Sequence, residues 1–267
     1  MALPANELLT VALEAATHAG GLLRAHFGGA RAVVEAKTTP TDLVSDADHE
    51  AEEAIRAVLA ERRPDDAILG EELGADPGVT GLRWVIDPLD GTVNFLFGIP
   101  QWAVSVACED GDGTLAGVVH DPLREETFAA VRDGPAMLNG QPISGSTRTE
   151  LASALVATGF AYDAAVRAEQ ARVAARVVPR ARDVRRFGSA ALDLVWTACG
   201  RFDAFYERAL NPWDSAAGAL VCSRAGLAVR RLEAQGAMPA GLLVGPADLV
   251  SQLEPLVTAA SYPRDGE

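Results

Sequence analysis

The 267-residue sequence predicts a layered protein of mixed α and β structure, α+β in its first half and closer to α/β in its second. Three observations predict it. Two segments near the start repeat apolar residues at helical spacing. A central stretch of short apolar runs, separated by turn signals, reads as antiparallel strands. Beyond a polar stretch ending at Glu150, strand-like and helix-like segments alternate.

Leu8, Leu9, Ala12, Leu13, Ala16 and Ala19 lie on one helical face, and Gly28-Gly29 ends the pattern, so the first helix is expected over 5–27. A loop, KTTPTDLVSDAD, comes next. HEAEEAIRAVLAERRP then reads as a second helix, capped by Asp46 or Asp48 and ended by Pro64. AILGEELG is a short strand running into Glu71 and Glu72, LRWVID is another strand, and VNFLFGIP is a short helical turn. WAVSVACED and TLAGVVHDP form a hairpin about a Gly-Asp-Gly turn, and Asn139-Gly140 marks a second tight turn in ETFAAVRDGPAMLNGQPI. The polar SGSTRTE divides the chain into an N-terminal half, 1–147, and a C-terminal half, 148–267. The second half reads as a strand (ALVATGF), a helix near 163–178, a short strand around Arg185–Phe187 and a helix from about 189 to 199. A strand (FDAFYE), a helix (SAAGALVCSRAG), a strand (GLLVG) and a closing helix (ADLVSQLEPLVTAA) complete it.

Composition narrows the partners. A net charge of −14 argues against nucleic acid, whose phosphates demand a basic surface. A hydrophobic content of 49% is ample for a large core, yet no apolar run approaches the roughly 20 residues of a membrane span. Cys108, Cys199 and Cys222 are odd in number and widely spaced, with no zinc or disulfide pattern, and read as free thiols. The first residues lack the cationic segment of a signal peptide, so a cytoplasmic location is expected. Six arginines between Arg172 and Arg186 form the one basic cluster. Arg172, Arg176 and Arg180 share a helix face that is either solvated, a subunit contact or a means of steering anions. Arg185 and Arg186 are the better candidates for the substrate side.

The chemistry gathers in the acids. In W-V-I-D-P-L-D-G-T-V-N-F, residues 84–95, Pro88 keeps Asp87 extended, and Asp90 can cap the turn or helix behind it. Gly91 admits close approach, and the N–H groups of Gly91 and Thr92 offer a phosphate seat at a helix start. Taken alone, D-P-L-D-G is also ordinary turn chemistry. Glu71 ends a neighbouring strand, Asp214 sits just before a helix of small residues that could also approach a ligand, and Asp42 and Asp48 lie in the loop before the second helix. If Glu71, Asp87, Asp90 and Asp214 converge, their repulsion calls for cations. An all-oxygen donor set without Cys or His points to Mg²⁺ before Ca²⁺ or Zn²⁺, and Mg²⁺ commonly serves phosphate esters.

Together G-E-E at 70–72, W-V-I-D-P-L-D-G-T-V-N-F at 84–95 and N-P-W-D-S-A-A-G at 211–218 resemble the signature segments of the inositol monophosphatase family. The likeness runs from about residue 5 to 260. K-T-T-P-T-D-L-V-S-D-A-D resembles that family's mobile loop, and R-R-F-G-S-A-A with F-Y-E its substrate wall. The resemblance implies a layered αβαβα sandwich, a homodimer, two to three Mg²⁺ ions and lithium sensitivity. It implies that Glu71, Asp87 and the Leu89 carbonyl hold one metal, that Asp87, Asp90 and Asp214 hold a second, and that Glu71 touches a third through water. Gly91 and Thr92 would bind phosphate, and Thr92 with Asp48 would activate the attacking water. Asp90, Ala190 and Glu207, with Arg185 beside them, would face the alcohol, and Lys37 and Asp42 would lie in the mobile loop. The stretch after Cys222 lacks the family's glycine pair, and Asn211 departs from several relatives.

The activity implied is that of a metal-dependent phosphoric monoester hydrolase acting on a small polyol phosphate, inositol monophosphate foremost, by direct attack of metal-activated water. Histidinol-phosphate phosphatase, fructose-1,6-bisphosphatase and nucleotide bisphosphate phosphatase are alternatives within the fold, with T-V-N-F favouring the inositol type. A non-catalytic, metal-stabilised binding protein is the alternative of another class.

Overall fold

The computed structural model describes residues 5–28, 34–36 and 43–258, with the backbone alone for 34–36 and 43–45. Lys37 and Asp42 lie outside the described residues. The first half carries helices α1 (Ala5–His26), α2 (Asp46–Arg62) and α3 (Thr92–Leu96). Its strands are β1 (Val34–Ala36), β2 (Leu43–Ser45), β3 (Ala67–Gly70), β4 (Ala75–Asp76), β5 (Arg83–Asp90), β6 (Ala103–Asp110), β7 (Gly113–Asp121), β8 (Glu126–Val131), β9 (Met137–Leu138) and β10 (Gln141–Pro142). In the second half lie α4 (Ala164–Val177), α5 (Ala190–Ala198), α6 (Pro212–Arg224) and α7 (Ala247–Thr258). Its strands are β11 (Leu155–Thr158), β12 (Asp183–Arg185), β13 (Ala204–Arg208), β14 (Ala228–Leu232) and β15 (Gly241–Gly245).

The layers stack α-β-α-β-α. An eight-stranded sheet, ordered β10-β9-β8-β7-β6-β5-β3-β4, and a five-stranded sheet, ordered β12-β11-β13-β15-β14, sandwich α5 and α6. Helices α1 and α2 cover the outer face of the first sheet, and α4 and α7 flank the second. Strand alternation explains how one sheet feeds two cores. Trp84 and Ile86 of β5 turn toward Leu8, Leu23, Ile55 and Leu59 of the outer helices. Val85 between them turns inward toward Leu192, Leu194 and Val221. A sheet buried on both faces reads as a continuous apolar run, as W-V-I does here. The third core joins Val156, Tyr206 and Leu243 to Val173 and Leu249.

Most boundaries follow the sequence pattern, and the differences have physical reasons. Strand β5 runs on through Asp90 because its pairing with β6 resumes after an irregularity at Pro88 and Leu89. The short strand expected at Arg185–Phe187 falls at Asp183–Arg185. Strand β14 was not legible: it is the edge of its sheet, and A-V-R-R-L leaves Arg230 and Arg231 exposed instead of alternating cleanly. Asn139 and Gly140 both take positive φ in the β9–β10 turn, as an Asn-Gly hairpin requires. The small residues of α6 serve packing. A Cβ on Gly117 would stand 2.8 Å from the Ala217 Cα, and one on Gly218 would stand 2.8 Å from the Leu194 side chain, so α6 seats tightly on both sheet and α5. Cys108, Cys199 and Cys222 are free thiols, and among the described residues no helix is long and apolar enough to cross a membrane.

Candidate functional site

The cleft forms where β5, β13, α5 and α6 meet. It encloses about 300 Å³ and is lined by Glu71, Asp87, Asp90, Thr92, Glu207 and Asp214 among others. Its geometry begins with one extra residue in β5. Asp87 pairs with Ser105 and Asp90 with Ala103, so three steps on β5 match two on β6. Residues three apart on a regular strand face opposite ways. Here the partners are two apart, so the bulge returns Asp90 to the face of Asp87. Pro88 donates no ladder hydrogen bond and suits the bulge. The Leu89 N–H donates to Asp87 Oδ1 at 3.0 Å and fixes that carboxylate.

Asp214 arrives from the other half. It is not ahead of its helix, as the sequence suggested, but at the third position of α6, where Pro212 opens the first turn. Its Oδ2 accepts the Asn211 N–H at 2.7 Å in a capping box. The Ser105 hydroxyl donates to the Trp213 carbonyl at 3.1 Å, tying this turn to the strand residue opposite Asp87. As a result one oxygen each of Glu71, Asp87 and Asp214 lie within 4.8 Å of one another. Asp90 stands beside this trio. Its Oδ2 is taken by the Ser189 hydroxyl at 2.5 Å and the Ala191 N–H at 2.7 Å, at the N-terminus of α5.

The electrostatics of the cluster would favour a cation. Burial, then the charges of Glu71, Asp90 and Asp214, push the Asp87 carboxyl well above the carboxylate range. Burial and the Asp90 charge do the same to Asp214. Burial lifts Asp90 to about 6, against the opposing bonds from Ser189 and Ala191. Glu207, on β13, is lifted by burial to about 8, with Arg186 pulling it down. Like charges crowded in a low-dielectric cleft resist ionisation unless a cation joins them. Hard oxygens in this arrangement fit Mg²⁺.

Thr92 opens α3 behind Gly91, which takes φ 102°. A side chain there would sit 2.9 Å from the Gln101 carbonyl, so glycine is required. The Thr92 hydroxyl lies 2.9 Å from Asp48 Oδ1 and 3.1 Å from the Leu89 carbonyl, and Asp48 and Thr92 are both buried. Across the cleft, Glu207 presses against Gly159, whose Cβ would lie 2.0 Å from the carboxylate. Ala190 begins α5 beside them.

Arg185 does not reach the cleft. Its guanidinium pairs with Asp183 at 2.5 Å, while Arg186 lines the cavity. The correction has a geometric cause, since neighbouring residues in extended backbone point opposite ways. Three residues of the site were not singled out by the sequence. Ser189 caps α5 and holds Asp90. Asn94 donates to the Gln101 and Phe187 carbonyls, both at 2.7 Å, and ties α3 to the segment ahead of α5. Asp193 lies buried behind Glu207, with Oδ1 unpartnered and its carboxyl raised by burial and by Glu207. Serine ahead of a helix is a legible capping signal; the roles of Asn94 and Asp193 depend on contacts across the sandwich.

Fold and site together define a class: a layered α/β phosphatase scaffold with an oxygen-rich cleft between two sheets. Residues 5–261 match the inositol monophosphatase family, and the chain belongs to it. It is 44% identical over 248 residues to an inositol-1-monophosphatase of Mycobacterium bovis, covering 88% of this chain and 85% of the relative. It is 39% identical over 223 residues to the Nus factor SuhB of Escherichia coli, covering 83% and 84%. Among solved structures it resembles the extragenic suppressor protein suhB of Bartonella henselae, with a TM-score of 0.89, 34% identity and coverage of 96% and 100%. It also resembles the Thermotoga maritima IMPase TM1415, with a TM-score of 0.84, 31% identity and coverage of 94% and 96%. Family membership makes the chain a phosphatase by class.

Proposed function

We propose that this phosphatase hydrolyses a small polyol phosphate, inositol monophosphate foremost, with Mg²⁺ as its cofactor. The observation that carries the reading is the convergence of Glu71, Asp87 and Asp214 beside the Thr92–Asp48 pair. Glu71, Asp87 and the Leu89 carbonyl would hold one ion, and Asp87, Asp90 and Asp214 a second. A third would be held through Glu71, for two to three in all. When bound, Mg²⁺ neutralises the carboxylates and the ester, acidifies water and stabilises the leaving oxygen.

The chain's own residues do the rest. Asp48 accepts a hydrogen bond from the Thr92 hydroxyl, whose lone pair would then accept one from an attacking water and orient it for in-line displacement at phosphorus. The ester P–O bond breaks as the new one forms, and the proton the water loses is made up on the departing alcohol oxygen. The N–H groups of Gly91 and Thr92 receive phosphate oxygens. Asp90, Ala190 and Glu207 face the alcohol, and a Glu207 lifted to about 8 is largely protonated near neutrality and so can donate a hydrogen bond to a hydroxyl. Arg186 takes the place first assigned to Arg185. Direct attack by water calls for no covalent phosphoenzyme, and Ser189, the one Ser or Cys among the described residues lining the cleft, serves as the cap of α5 and a donor to Asp90.

The halves divide the labour: residues 1–147 bring most metal ligands, and 148–267 bring Asp214 and the substrate wall. A cytoplasmic homodimer acting on small esters, without nucleic-acid or membrane partners, is part of this reading.

Phosphate release from inositol 1-phosphate, histidinol phosphate, fructose 1,6-bisphosphate and a nucleotide bisphosphate should be measured with Mg²⁺, with EDTA and with Li⁺. The expected result is turnover of inositol 1-phosphate above the others, abolished by EDTA and reduced by Li⁺. Equal turnover in EDTA would overturn the metal assignment, and preference for another ester would overturn the substrate.

A further inference from the structure

One face of α2 carries Asp48, Glu52 and Arg56 at successive turns, and only Asp48 has a part in the chemistry above. Glu52 is fully buried. Its Oε2 accepts the Glu72 N–H at 2.7 Å, and its Oε1 accepts the Leu73 N–H at 3.1 Å. Arg56 balances its charge at 2.8 Å through Nε, then continues to the Gly74 carbonyl at 2.6 Å and to Asp76 at 2.5 Å. Helix α2 therefore holds the backbone beyond Glu71 at three consecutive residues, 72 to 74.

Gly70 supplies an independent observation. A Cβ there would lie 2.1 Å from Glu52 Oε1 and 2.8 Å from an Arg56 nitrogen. The carboxylate occupies the space a side chain would need, immediately before Glu71. Gly70 does not take positive φ, so conformational freedom does not explain it. Glycine is required at this position by the approach of Glu52.

We propose that Glu52 is a positioning residue for metal binding. It fixes the turn that aims Glu71, from the same rigid helix that places Asp48 against Thr92. One helix thus sets the spacing between a metal ligand and the group that orients water. The proposal rests on the reading of Glu71 as a ligand. A carboxylate that holds the backbone of a ligand loop acts as do the outer partners that typically change metal affinity by about 10-fold to 100-fold.

The test uses calorimetric titration of metal-free protein with Mg²⁺, amide hydrogen exchange over 68–76, and steady-state kinetics. Glu52→Ala would strand the Arg56 guanidinium, so Glu52→Gln and Gly70→Ala are the deciding variants, with Glu71→Gln as reference. Glu52→Gln keeps one carbonyl acceptor and should weaken Mg²⁺ binding by several-fold, while Gly70→Ala displaces the carboxylate and should weaken it by about 10-fold. Both should speed exchange at Glu72 and Leu73 while β5 and α1 stay protected. At saturating Mg²⁺, kcat should return toward wild type with substrate KM unchanged. Exchange that quickens at Glu72 and Leu73 with Mg²⁺ affinity unaltered would overturn the proposal while leaving the metal site intact. Loss of protection throughout the protein would also overturn it, assigning Glu52 to stability alone. Unchanged Mg²⁺ affinity in Glu71→Gln would instead overturn the reading of the site itself, and the role of Glu52 with it.

Discussion

Asp66 and Asp87 are both buried acids at opposite ends of the same part of the first sheet, and they are treated oppositely. Asp66, just before β3, receives Arg63 through two bonds of 2.7 and 2.9 Å, the Thr80 hydroxyl at 2.6 Å and the Trp84 indole at 3.0 Å. Those partners hold its carboxyl below the ordinary range despite burial. Asp87 is met by Glu71, Asp90 and Asp214, and its carboxyl rises. The chain supplies the counter-charge at Asp66 and, among the described residues, supplies none at Asp87, where the proposed ions would take that part. Burial alone therefore does not distinguish the two acids, whereas the sign of their neighbours' charges does.

Substitution should separate the two most sharply. Asp87→Asn is expected to lower phosphatase turnover by about 10²-fold to 10³-fold, equivalent to several kcal/mol of lost transition-state stabilisation. It should also raise the thermal stability of the metal-free protein near neutrality, because it removes an acid that burial and its acidic neighbours make costly to ionise or to keep protonated. Asp66→Asn should do the reverse, costing about 3 kcal/mol of stability by breaking a buried ion pair while leaving turnover per folded molecule near wild type. Thermal unfolding in EDTA, set beside phosphate release in Mg²⁺, checks both. Equal losses of activity in the two variants would erase the distinction.

The pH dependence of stability sharpens the same contrast with a smaller effect. A carboxyl with a raised folded pKa binds its proton more tightly when folded, so its contribution is fully present below the unfolded value of about 4. That contribution is lost as pH climbs through the folded values, about 6 for Asp90 and about 8 for Glu207. Asp66 behaves oppositely, since its lowered carboxyl loses stability only as pH falls below the unfolded value. In EDTA the melting temperature should therefore decline between pH 5 and pH 8. Mg²⁺ at a hundredfold excess over its Kd should restore about 2.7 kcal/mol at pH 8 and less at pH 5, where protons compete for the ligands. A flat profile in EDTA would count against the unbalanced cluster.

The smallest effect concerns the paired arginines. Arg185→Ala should change kcat/KM by less than about twofold, because its guanidinium lies on Asp183 at an exposed ion pair. Arg186→Ala should change substrate KM by several-fold, as expected for a charge acting on Glu207 in the cleft. Steady-state kinetics on the preferred ester decides it, and the reverse order would restore Arg185 to the substrate side.

Local signals were sufficient for much of this molecule. The 3.6-residue periodicity of α1 and α2, the hairpin of β6 and β7 and the Asn139-Gly140 turn are properties of neighbouring residues, and each was readable from the order of side chains alone. The acids at 71, 87, 90 and 214 were visible as types at element ends. Their meeting was not, because it depends on the bulge in β5, on α6 entering between two sheets and on Ser105 holding the turn at Trp213. Nor could adjacent arginines be told apart before β12 had fixed which faces the cleft, or Glu52 be noticed before the turn after Glu71 folded onto it. Sequence determined the residue types and local conformations, since those follow from sterics and spacing within a few positions. Tertiary structure decided which distant groups share one desolvated volume, and only there do charges act strongly enough on one another to raise several carboxyls together.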